Sequence, residues 1–178
     1  MDREFVEFPK MPRLSREVVV TEKIDGTNAQ VMVTEDGAVL AGSRSKWITP
    51  ASDNFGFARW VEGNREELLT LGPGRHFGEW WGCGIQRGYG LKEKRFSLFN
   101  VSRWEESHPE CCHVVPVLWR GLFDTAFIDG ALTMLKATGS KAAPGYMHPE
   151  GVVVYHTAGN IGFKKSIERD DVPKSAGR

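Results

Sequence analysis

The sequence predicts an α+β fold: mostly antiparallel sheets flanked by helices. Three observations carry that expectation. Short β-branched or aromatic runs recur along the chain, many bounded by Gly, Asp or Asn turns. Only two stretches space their apolar residues as a helix does. No repeat, low-complexity tract or linker interrupts the chain, so residues 1–178 read as one domain.

Residues 18–21 (Val-Val-Val-Thr) form the first strand signal. It breaks at Asp25-Gly26 and resumes over residues 29–33. Glu35-Asp36-Gly37 is a turn signal leading into residues 38–41, so a hairpin is expected there. Asp53 or Asn54 would cap a helix through Phe57, Trp60, Val61 and Leu68, ending before Gly72-Pro73-Gly74. Gly63 weakens that helix from inside. Strands are expected at residues 76–81, 96–101 and 114–119. Asp124 precedes a helix with Phe127, Ala131, Leu132 and Leu135 at helical spacing, and Gly139 stops it. Residues 151–155 and 161–165 read as a strand pair.

The 23 Lys+Arg balance 23 Asp+Glu, which argues against whole-molecule attraction to a polyanion but leaves local basic patches open. Three cysteines without a Cys-x-x-Cys pair argue against a zinc site or a disulfide framework. The start Met-Asp-Arg-Glu has no apolar leader, and no apolar run is long enough to span a bilayer. A cytoplasmic protein without membrane partners is expected.

The stretch Glu22-Lys23-Ile24-Asp25-Gly26-Thr27-Asn28 puts a lysine at a strand end, where a rigid sheet can hold a nucleophile. A surface lysine before a hairpin turn would read the same way. Phe77-Gly78-Glu79-Trp80-Trp81 and Glu150-Gly151-Val152-Val153-Val154 each set a carboxylate in an apolar strand. Such a charge is costly unless it meets a partner, ligand or metal. Gly162-Phe163-Lys164-Lys165 sets two cations on a late strand.

In order, Lys23-x-Asp25-Gly26, Phe77-Gly78-Glu79, Phe96-Ser97-Leu98-Phe99-Asn100, Glu150-Gly151-Val152-Val153 and Phe163-Lys164-Lys165 resemble motifs I, III, IIIa, IV and V of the covalent nucleotidyltransferase superfamily. That superfamily holds ATP-dependent DNA and RNA ligases and mRNA capping enzymes. Arg44 lies where the motif Ia arginine would fall. Thr27-Asn28 and the Trp81–Gln86 context look most like phage-type RNA ligases.

The resemblance implies a ligase-type nucleotidyltransferase fold and an ATP-dependent RNA ligase. Lys23 would attack the α-phosphate of ATP and hold AMP as a lysyl phosphoramidate. AMP would pass to a 5′-phosphate RNA end, which a 3′-hydroxyl then seals. Glu79 would contact the ribose. Glu150 would hold Mg²⁺ or Mn²⁺, and Phe99 would stack on adenine with Val152 or Val153 on the other face. Lys164 would contact the α-phosphate. Lys165 takes the place beside it, where the family often has a second lysine two positions on and this chain has Ser166. Arg44 and Asn28 would bind phosphate, and Glu22 would contribute a backbone carbonyl to adenine recognition.

The basic stretch from Gln86 to Arg95 carries four cations and one anion. A flexible loop tracking RNA is expected there, with Arg87, Lys92 and Lys94, together with Arg44, as nucleic-acid contacts. Only 13 residues follow Lys165, too few for the C-terminal OB-fold or helical module common in the superfamily. The chain reads either as a monomeric, minimal ligase acting on RNA ends or nicks, with a separate end-binding partner in place of that module, or as the nucleotidyltransferase core of a longer ligase. The competing readings are a DNA ligase, a GTP-using guanylyltransferase and a non-catalytic nucleotide- or end-binding module.

Overall fold

The structure, a computed structural model, describes residues 4–168, 170 and 171. The described residues form ten strands and four helices. They run β1 (Glu17–Lys23), β2 (Thr27–Val33), β3 (Val39–Ser43), β4 (Trp47–Ile48), α1 (Phe57–Gly63), α2 (Arg65–Leu69), β5 (Gly74–Gly82) and β6 (Lys94–Leu98). Then come α3 (Val101–Trp104), β7 (Cys112–Val114), β8 (Val117–Leu122), α4 (Thr125–Thr138), β9 (Gly151–His156) and β10 (Ile161–Ser166).

Two sheets result, as the turn-punctuated strand signals predict. A four-stranded sheet has the order β10-β9-β1-β8 and a six-stranded sheet the order β4-β3-β2-β5-β6-β7. Neighbours are antiparallel except β6 and β7. Helix α4 lays Ile128, Ala131, Leu132 and Leu135 on Val18, Val20, Val152 and Val154 of the four-stranded sheet. Helices α1 and α2 cover one face of the other sheet, packing Phe57, Val61 and Leu68 with Val31, Trp80, Phe96 and Leu98. A third cluster joins the sheets through Val19, Ile24, Trp81, Tyr89, Val101 and Val115. Each fully buried side chain of this kind contributes roughly 1.5–3 kcal/mol. Among the described residues, no helix is long and apolar enough to cross a membrane.

Several elements differ from expectation, each for a local reason. The helix expected through Leu68 breaks into α1 and α2 at Asn64, next to Gly63, where the backbone leaves helical geometry at φ −114°. The N-cap of α1 is Gly56 rather than Asp53 or Asn54, and Asp53 reaches the first turn from outside, accepting the Ala58 N–H at 2.8 Å and the Arg59 N–H at 3.2 Å. The strand expected at 114–119 splits into β7 and β8. Pro116, which has no N–H to donate to a ladder, lies at the passage between the sheets. The end of the strand expected at 96–101 curls into α3, capped by Asn100. Phe127 of α4 is half exposed and stacks on Trp119 at 4.5 Å, so Ile128 takes the buried position. Finally, the competing reading of Lys23 as a lysine before a hairpin turn fails, because β1 and β2 belong to different sheets.

Candidate active site

Alternation along β1 places Lys23. Val18 and Val20 face α4, so Val19, Thr21 and Lys23 point to the opposite side. Strand β9 runs beside β1 with Lys23 opposite Gly151, which brings the preceding residue, Glu150, next to the lysine. Lys23 Nζ lies 2.5 Å from Glu150 Oε2, and the two side chains are 18% and 4% exposed. Gly151 lets the start of β9 lie tight against β10. A Cβ there would fall 2.2 Å from the Lys165 carbonyl, at φ +156°.

The passage from β1 to β2 is held from several sides. A Cβ on Gly26 would meet the Trp80 carbonyl at 2.4 Å and Trp81 Cβ at 2.7 Å, so the chain passes β5 as only glycine can. The Asp25 N–H donates to Tyr89 Oη at 2.8 Å. Arg87 Nε donates to Asp25 Oδ2 at 2.9 Å, and its Nη1 donates to the His148 carbonyl at 3.2 Å. Burial works against the Arg87 charge, but Asp25 outweighs it and the guanidinium is held above its usual range.

Glu79, on β5, accepts the Gly26 N–H at 3.0 Å and Asn28 Nδ2 at 3.2 Å. Burial pushes its carboxyl up to about 7. Lys23 and the Gly26 N–H pull it down, while Glu150 and Asp25 push it further up. Three carboxylates and one lysine thus share a small, partly dry space. Carboxyls with raised pKa values in such surroundings are typical of sites built for chemistry.

Beside Asn28, a groove of about 260 Å³ is lined by Arg44, Phe77 and Phe99 among others. The structure therefore brings the expected Asn28, Arg44 and Phe99 together, on β2 and just past the ends of β3 and β6. No group of three or more His, Cys, Asp or Glu forms a metal cage among the described residues. Glu150 is a hard oxygen donor without such a cage. That suits a Mg²⁺- or Mn²⁺-class cation, which keeps waters and takes substrate phosphates as its other ligands.

Register decides the remaining candidates. Val153 lies opposite both Thr21 and Lys164, on the lysine face of the sheet. Val152 is fully buried against α4, so Val153 and not Val152 lies on the face of Lys23. Lys165 also points to the helix side, where its Nζ lies 2.5 Å from Asp129 Oδ1. Lys164 shares the Lys23 face, and so does Ser166, which lies opposite Gly151. The Glu22 carboxylate is 1% exposed and accepts from Ser140 Oγ at 2.6 Å, Lys141 N at 2.7 Å and Ala142 N at 3.0 Å. It ties down the segment after α4.

The loop between β5 and β6 is anchored, contrary to the flexible track expected. Tyr89 is buried between Trp81 and Tyr146, at centroid distances of 5.0 and 4.7 Å. Arg87 is committed to Asp25, and Lys94 Nζ donates to the Phe55 carbonyl at 2.7 Å. Lys92 is exposed. Tyr89 and His148 escaped sequence reasoning. Nothing in the chain marks a tyrosine in a glycine-rich loop as the anchor of a residue 64 positions away.

A family model described as RNA ligase matches residues 16–169. The chain belongs to the RNA ligase family. A search of curated proteins finds no match. Among solved structures, a Naegleria gruberi RNA ligase mutant with ATP and Mn is similar, with TM-score 0.63 and 19% identity over 87% of this chain and 51% of that one. A second mutant of that ligase, with AMP and Mn, has TM-score 0.62 and 22% identity over 86% and 50%. An apo mutant has TM-score 0.59 and 21% identity over 85% and 50%. These likenesses show the RNA ligase nucleotidyltransferase fold. The chain spans about half the length of these structures.

Proposed function

We propose that this RNA ligase family chain takes AMP from ATP onto Lys23, passes it to the 5′-phosphate of an RNA end, and seals that end to a 3′-hydroxyl. The observation that carries the reading is the Lys23 amine 2.5 Å from Glu150, in one site with Glu79. The Lys23 nitrogen attacks the α-phosphorus. An N–P bond forms while the P–O bond to pyrophosphate breaks, and Glu150 Oε2 is in place to accept the amine proton. Most of the acceleration in such a transfer comes from alignment and charge neutralisation.

The remaining residues hold the nucleotide. Phe99 and Val153 take the two faces of adenine, and Glu79 takes the ribose. Lys164 takes the α-phosphate, with Arg44 and Asn28 as further phosphate contacts. Mg²⁺ or Mn²⁺ at Glu150, when bound, neutralises charge on the triphosphate. Mutants of the Naegleria gruberi RNA ligase solved with ATP and Mn or with AMP and Mn support this choice of nucleotide and metal.

Incubation with α-labelled ATP and Mg²⁺ or Mn²⁺ tests the reading. Covalent label on the parent and none on Lys23→Ala is expected. Equal labelling of both would overturn it. Competition by unlabelled ATP but not GTP separates this activity from guanylyl transfer.

A further inference from the structure

The six-stranded sheet has one face under α1 and α2; its other face is covered around Trp81 by the cluster that joins the sheets and is open over β4, β3, β2 and the first half of β5. Register lines up one row across it. Trp47 lies opposite Gly42, Gly42 opposite Gln30, and Gln30 opposite Phe77. Phe99 completes the row, donating its N–H to the Phe77 carbonyl at 3.0 Å. At about 4.8 Å per strand, the row is roughly 19 Å long. The next row along the strands is Asn28, Glu79 and Ser97, so the aromatic row adjoins the candidate active site.

Trp47, Phe77 and Phe99 are 46%, 53% and 41% exposed. Large apolar side chains gathered on an open face mark a binding surface. Their company identifies the ligand. Arg75 lies with Cζ 5.3 Å from the centre of the Trp47 ring and donates from Nη1 to Gln30 Oε1 at 3.2 Å. Arg44 lines the groove beside Phe77 and Phe99. By register, the strands put one carboxylate on this face, Glu79, which belongs to the active site. A Cβ on Gly42 would meet Gln30 Cγ at 2.7 Å, so the Gln30 side chain crosses a flat spot between Trp47 and Phe77.

We propose that this row is a stacking platform for unpaired RNA bases next to the joining point, with Trp47 and Phe77 under the bases and Arg44 and Arg75 on the phosphates. Aromatic rings and arginines without opposing carboxylates suit a polyanion with flat bases. A base held in a duplex cannot lay its face on the row, so the platform selects single-stranded ends. The proposal rests on the RNA ligase reading and adds the substrate's form.

The test measures binding of a fluorescein-labelled single-stranded oligonucleotide RNA and of a blunt RNA duplex to the full chain. Trp47→Ala should weaken single-strand binding roughly tenfold while leaving the duplex unchanged. Trp47→Phe should restore most of the affinity. Self-labelling by α-labelled ATP, which needs no RNA, should persist in both variants. Unchanged single-strand affinity in Trp47→Ala overturns the platform, as it would if the face docks a protein instead. An equal loss for the duplex overturns it too. A parent chain that shows the RNA effect but takes up no AMP would refute the ligase reading and leave the platform standing.

Discussion

Lys23 and Glu150 are 127 residues apart in the chain, and their side chains meet at 2.5 Å. The β1–β9 register makes this contact, and the low exposure of both groups removes competing water. Glu150→Gln keeps the size of the side chain and removes its ability to take a proton. Covalent AMP labelling of this variant should fall about 100-fold or more, the usual worth of a positioned base. Labelling within a few-fold of the parent would show that Glu150 takes no proton from Lys23.

Glu79 makes stability depend on pH in a direction unusual for a carboxylate. Burial raises its folded pKa to about 7 from an ordinary 4.5. The folded chain therefore keeps a proton that the unfolded chain releases near 4.5. The stabilisation is fully present below that value and is lost as pH rises through about 7. The urea midpoint of the parent should fall between about pH 5 and about pH 8, and Glu79→Gln should flatten that slope. Parallel slopes would count against a raised Glu79.

The strand passage at residues 24–26 should be intolerant of small changes. Tyr89→Phe removes the acceptor of the Asp25 N–H and should cost about 1–3 kcal/mol in chemical denaturation. Gly26→Ala puts a methyl group against the Trp80 carbonyl and Trp81, and should cost about 1–3 kcal/mol. Both should also lower AMP labelling, because the same backbone carries Lys23. Full stability in Gly26→Ala would mean that β5 yields.

The two late lysines should behave differently. Lys165 pairs with Asp129 on the helix side, both groups being about half exposed, so Lys165→Ala should cost under about 1 kcal/mol and leave labelling intact. Lys164 shares the Lys23 face, and Lys164→Ala should cut labelling strongly at unchanged stability. The reverse pattern, read by labelling and urea midpoint together, would place the sheet one residue out of register.

Local chemistry made much of this legible. Asp124 and Gly139 bound α4 because a side-chain acceptor and a positive φ are local needs. The charged residues Lys23, Glu79 and Glu150 stood out because an apolar strand has no local use for them. What failed was whatever depends on a distant neighbour. The helix over α1 and α2 broke at Gly63-Asn64, and residues 114–119 divided between sheets at Pro116.

The sequence by itself determined the α+β class and most strands, and it singled out Lys23, Glu79 and Glu150, which the fold gathers. Tertiary structure alone decided which side of each strand serves the site. Val152 against Val153, and Lys165 against Lys164, are pairs of like residues one position apart. A strand turns its side chain over at every step, so only pairing with β1 and packing under α4 separate them. Tyr89 and Arg87 meet Asp25, and His148 meets Arg87, for the same reason: each partner lies across the fold, and composition carries no trace of that distance.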